Sequence, residues 1–229
     1  MSMFRLEERK IRPVALAAAG LFLLFAGIFF SPIEIPHKIA FTLGSAFIMS
    51  LWLCPWQISL ALLFSALGDY FGSCHNFLGQ MGFFALCHVS LIWYFVKRYL
   101  TKVIRNKRPT AKSHGLAFIL LIMLLSFVGF VFAKIIPCAP EGIIRIGTSI
   151  YAVLISCMLY FALLQRSSLF AIGAVLFVFS DFILAWNKFV EPIEYSRLLI
   201  MIPYYAGQFL IFMRSTPYKV KPDLRGFRF

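Results

Sequence analysis

Asp69, in LFSALGDYFG, and Asp181, in LFVFSDFIL, are carboxylates set in runs of otherwise apolar residues, and neither run contains a lysine or arginine to pair with them. In both, a small residue precedes the aspartate (Gly68, Ser180) and an aromatic follows it (Tyr70, Phe182). Two carboxylates at similar depth in a low-dielectric site resist joint ionisation, so one is expected to hold a proton near neutral pH while the other does not. Such a pair has an acid and a base, and can protonate a substrate atom while activating water, as glycosidases and aspartic proteases do. The plainer alternative is that each aspartate only bonds a neighbouring helix through Ser65, Ser180, Asn187 or Tyr205. A carboxylate at the centre of a membrane helix costs about 2.5–3.5 kcal/mol, which favours a functional role for a matched pair.

Other polar groups in apolar surroundings are weighed in the same way. His88, in FFALCHVSLIWY, is either an imidazole satisfied by a carbonyl or a site residue. Gln208, with Tyr204 and Tyr205 ahead of it in PYYAGQFL, either binds a substrate headgroup or bridges helices. Asn187 reads as an interfacial cap or a headgroup contact. The five cysteines show no CxxC pair. Cys74-His75 and Cys87-His88 lie too far apart along a helix to make one compact metal site, so neither a metal nor a cofactor is expected. Cys74 and Cys138 both fall in outer loops, which leaves a disulfide between them open.

The elements that must position these groups are membrane spans. The 229 residues are 61% hydrophobic and 14% charged, and the mean hydropathy of +0.86 is far above that of a domain with a solvated surface. Eight spans are predicted, at 14–30, 39–53, 57–71, 77–96, 115–133, 146–164, 168–187 and 198–213, separated by proline- and glycine-bearing punctuation such as Ser31-Pro32, Cys54-Pro55 and Glu191-Pro192. With both termini cytoplasmic, 17 of the 22 basic residues fall on the inner side, so the net charge of +13 is a topology signal and no nucleic-acid partner is implied. Glu7 and Glu8 in the basic N-terminal stretch, and no small-residue cleavage site after the first apolar run, argue for a retained span and against a signal peptide.

The expected fold class is an all-α integral membrane protein in one domain. A first four-helix half (1–96) is followed by a basic cytoplasmic loop (97–114), a second half (115–213) and a basic tail (214–229). The echo of Phe64–Tyr70 in Phe177–Phe182 suggests a 4+4 parallel repeat. Asp69 and Asp181 would then lie at similar depth, in the outer half of helices crossing in the same direction.

FSALGDY with the following FLGQMGFFALCH, and GAVLFVFSDFILAWNKF followed by YYAGQ, resemble the YhhN-like lysoplasmalogenase family of multi-span membrane proteins. The second stretch, with Asn187, Lys188 and Phe189 after the aspartate helix, is the more specific. The chain departs from the family pattern after Asp69, where Tyr70, Phe71 and Gly72 stand in place of aliphatic residues. The resemblance implies an eight-span hydrolase that cleaves the vinyl-ether bond of lysoplasmalogens to a fatty aldehyde and glycerophospho-ethanolamine or glycerophospho-choline. It implies Asp69 and Asp181 as the catalytic pair; His88, Tyr205 and Gln208 are then expected, from their own residue types, to place water or headgroup. The expected partners are membrane lipids and a lysophospholipid substrate, and the expected location is the plasma (inner) membrane if the source is bacterial. The residues alone leave two further readings open: a proton- or cation-coupled transporter using the same aspartates, and a non-catalytic scaffold.

Overall fold

A computed structural model describes residues 13–105 and 111–216. Among them there are eight α-helices and no strand: α1 Pro13–Phe30, α2 Ile39–Leu53, α3 Trp56–Ser73, α4 Phe77–Arg105, α5 Ala111–Lys134, α6 Ile143–Leu163, α7 Ser168–Phe189 and α8 Ser196–Ser215, with a 3-10 turn at Ile136–Cys138. Six are long and apolar enough to cross a membrane: α1, α4, α5, α6, α7 and α8. At 15 residues α2 is shorter, and α3 carries Gln57, Ser59, Ser65 and Asp69.

The helix ends follow the punctuation. The α2–α3 break falls at Cys54-Pro55, where the proline leads into α3. Other turns are closed by a residue in the left-handed region, namely His37, His75, Gly142, Arg166 and Tyr195, each of which reverses the chain within a few residues. One expectation is corrected. The basic segment 97–114, read as a loop, is helical at both ends, because α4 continues to Arg105 and α5 starts at Ala111. Lysine, arginine and leucine are good helix formers, and the first residue in this stretch that breaks a helix is Pro109, which lies outside the described residues. The N-terminal stretch before Pro13 and the basic tail from residue 217 on also lie outside them.

Each of α2–α4 packs on its predecessor, and so do α6, α7 and α8, while α4 also packs on α6 and α8 touches α1. The α7 and α8 backbones approach closely. A Cβ added to Gly207 would stand 2.7 Å from the carbonyl oxygen of Gly173, so both positions admit glycine alone without a backbone shift. The outward faces are apolar, with Leu16, Leu23, Trp52, Phe118, Met123, Ile146 and Val175 exposed, whereas Thr42, Ser50, Ser65, Asp69, His88, Ser156 and Gln208 are buried. This pattern is the reverse of a soluble protein's, and is what a hydrocarbon solvent requires.

Candidate functional site

Two hydrogen-bonded clusters occupy the bundle interior. The first joins α3 to α8. Ser65 and Asp69 are four residues apart and share one face of α3, as Tyr204 and Gln208 do on α8. The Tyr204 hydroxyl donates to Asp69 Oδ2 at 3.0 Å and Gln208 Nε2 donates to Ser65 Oγ at 2.8 Å. The two bonds form the rungs of an antiparallel ladder. Ser65 Oγ in turn donates to Cys87 Sγ on α4 at 3.1 Å. Asp69 is 2% exposed. Pro203, immediately before Tyr204, lies inside α8 and withholds an amide from the helix ladder where the site begins.

The second cluster joins α7, α6 and α4. The Tyr151 hydroxyl donates to Asp181 Oδ2 at 2.7 Å. His88 Nε2 stands 3.0 Å from the Tyr151 oxygen and 3.3 Å from Asp181 Oδ2. His88 is fully buried and Asp181 is 9% exposed.

The clusters flank one aromatic pair. His88 lies against the Phe177 ring at 4.8 Å, and Phe177 and Phe84 meet Tyr204 at 5.5 and 5.7 Å, all measured between centroids. Phe177 is four residues before Asp181 and Phe84 four before His88, so each ring shares a helix face with a site residue. A Cβ on Gly68 would stand 3.0 Å from the Phe84 ring, so the small residue ahead of Asp69 lets that ring pack close. The bonding is crossed: α8 donates to the aspartate of α3, and α4 reaches the aspartate of α7.

The structure therefore brings together Asp69 with Tyr204, Gln208 with Ser65, and Asp181 with His88. No hydrogen bond among the described residues joins the two aspartates. Tyr205 has its ring 5.4 Å from that of Tyr204 between centroids but bonds elsewhere, donating to the carbonyl of Ile39 at 3.1 Å, with its ring edge-on to Phe22 and Phe29. Asn187 Oδ1 accepts the Ile193 amide at 2.8 Å and closes the α7–α8 turn. Tyr151 was missed by sequence reasoning. Its one signal is a phenol hydroxyl eight residues after the start of α6, in a helix that also carries Thr148, Ser149, Ser156 and Tyr160, and tyrosine is too common in packing roles for that to single it out. Cys74 and Cys138 are free: Cys74 Sγ lies 3.9 Å from His37 Nδ1, and Cys138 Sγ donates to the carbonyl of Lys134.

Every member of both clusters lies within residues 39–215, the stretch that matches the YhhN family profile. The chain belongs to the YhhN family. With six helices long and apolar enough to span a bilayer, this YhhN family chain is a multi-pass membrane protein. It is similar to lysoplasmalogenase TMEM86B of Sus scrofa, 30% identical over 168 residues, which are 71% of this chain and 65% of the relative. Lysoplasmalogenase TMEM86A of Bos taurus is 32% identical and that of Homo sapiens 29%, each over 173 residues, 70% of this chain and 65% of the relative. The chain thus spans about 65% of the length of these curated relatives. No solved structure matches this YhhN family chain.

Proposed function

We propose that this protein hydrolyses the vinyl-ether bond of lysoplasmalogens, releasing a fatty aldehyde and glycerophospho-ethanolamine or glycerophospho-choline. The observation that carries the reading is the pair of buried aspartates, each accepting a tyrosine hydroxyl, on either side of one aromatic pair inside an apolar bundle. Relatives bearing the name lysoplasmalogenase support it.

The chemistry suits the arrangement. A vinyl ether is hydrolysed by protonation of its β-carbon, which gives an oxocarbenium ion. Water then adds to the α-carbon, and the resulting hemiacetal collapses to aldehyde and alcohol. The slow step needs a proton donor that stays protonated beside a greasy groove, and the second step needs a proton acceptor on the other side of the reacting carbon. Asp69 and Asp181, with their separate partners, are the acid and base arms. The aromatic rings between them give the cationic intermediate a π-face to rest against.

The eight helices are read as eight crossings with both termini cytoplasmic. A 15-residue α2 is about 22 Å long at 1.5 Å per residue, which calls for local thinning of the bilayer beside it. A 4+4 parallel repeat is supported by the crossed bonding, and by Asp69 and Asp181 each standing thirteen residues after the start of its helix.

The test is aldehyde release from lysoplasmalogen by purified protein in lipid bilayers. Wild type is expected to turn over, and Asp69→Asn and Asp181→Asn each to lose at least about 100-fold in kcat while eluting as folded protein. Failure of the wild type on every lysoplasmalogen headgroup and chain length tried would sink the reading.

A further inference from the structure

His88 Nδ1 is buried with no hydrogen-bond partner among the described residues, on a side chain that is itself fully buried. Its other nitrogen is crowded by two groups that both require a proton from it. Tyr151 commits its O–H to Asp181 at 2.7 Å, so at 3.0 Å from His88 Nε2 its oxygen can only accept. Asp181 Oδ2, at 3.3 Å, accepts as well. Nε2 therefore carries hydrogen. An imidazolium would add a second N–H at Nδ1, a buried donor with nothing to receive it, whereas a neutral ring leaves a lone pair there.

We propose that Nδ1 of His88 is the proton acceptor of the base arm, and that Asp181 is a positioning residue holding the imidazole in the Nε2–H tautomer with Tyr151. The tautomer rests on the geometry of Tyr151, Asp181 and His88 with Asp181 ionised, while the base role rests on the hydrolase reading above. Asp69 is then the acid, since it is the remaining carboxyl group, bonded by one hydroxyl and buried beside Phe84 and Tyr204.

The step balances. The Asp69 carboxyl gives its proton to the vinyl β-carbon, and the π-electrons of the double bond form the new C–H bond. Water forms a C–O bond to the α-carbon of the oxocarbenium ion and loses one proton to His88 Nδ1. In the collapse, the C–O bond to glycerol breaks and the imidazolium protonates the departing glycerol oxygen. The hemiacetal hydroxyl returns its proton to the Asp69 carboxylate, so both groups are restored. The charge that forms on His88 during turnover is neutralised by Asp181, the arrangement that general bases of the Asp-His type use.

The experiment uses full-length protein carrying His37→Asn, His75→Asn and His114→Gln, which leaves His88 as the one histidine of the four. It is labelled with 15N-histidine and reconstituted in phosphatidylcholine bilayers. At neutral pH the ring is expected to be neutral and protonated at Nε2, and Asp181→Asn to abolish that fixed signature. Kinetically, His88→Gln is expected to lower kcat for aldehyde release at least about 100-fold with KM within about threefold. A wild-type ring protonated at Nδ1, or unchanged by Asp181→Asn, overturns the positioning by Asp181. A folded His88→Gln protein with wild-type kcat overturns the base role. A wild type with the Nε2–H ring that releases no aldehyde overturns the hydrolase reading and the base role with it, and leaves the positioning of His88 standing. Should His88→Gln fail to fold, the ring signatures of wild type and Asp181→Asn, measured beside their kcat values, decide the assignment.

Discussion

Tyr204 and Tyr205 are adjacent in sequence, yet one bonds an aspartate and the other a backbone carbonyl of α2. Neighbouring helical residues point about 100° apart, so the two hydroxyls reach different acceptors although the rings touch, and the sequence does not give the rotation of α8. Tyr204→Phe is expected to lower kcat by about 10- to 100-fold, since it leaves a buried carboxyl group without its donor. Tyr205→Phe removes one bond between helices and is expected to cost about 1 kcal/mol of stability, with a far smaller change in kcat than Tyr204→Phe. Thermal unfolding and aldehyde release measured on both variants check the contrast, and equal losses of kcat would refute it. Asp69, Asp181, His88 and Gln208 were legible because a polar group in an apolar run has to be explained. Tyr151 was not, because half of its side chain belongs in such a run, and its partners lie 30 and 63 positions away.

The helices themselves were legible to within a few residues, because proline, glycine and cysteine-proline breaks mark where backbone must leave hydrocarbon. The exception, the run of α4 through the basic segment to Arg105, arises because lysine and arginine report the side of a membrane and leave the backbone helical. How closely two helices approach was not legible. Gly173 and Gly207 look like ordinary small residues until the α7–α8 pair is assembled. Gly207→Ala is expected to push α8 off α7, cost about 1–3 kcal/mol, and lower kcat because Tyr204 rides on the same helix one turn earlier. Stability that falls with kcat intact would mean that α8 tolerates the shift without moving Tyr204.

At the scale of the molecule, the apolar exterior and polar interior follow from composition, but the crossed bonding of α8 to α3 and α4 to α7 does not, since it depends on how the α3–α4 and α7–α8 pairs are apposed. The proposed topology puts Cys74 and Cys138, both exposed, on the outer side. A membrane-impermeant maleimide added to sealed cells is expected to label both, and labelling only after permeabilisation would invert the topology.

The Phe84–Phe177 pair has a further consequence. Because no hydrogen bond among the described residues runs from the Asp69 arm to the Asp181 arm, the two are open terminals of a circuit with an insulating gap between them. On the proposed reaction, a proton leaving one would have no wire to the other until a substrate came between them. The resting protein would then keep an acid and a base a few side chains apart without their discharging into each other, and the ether oxygen and its incoming water would be the conductor that completes the loop.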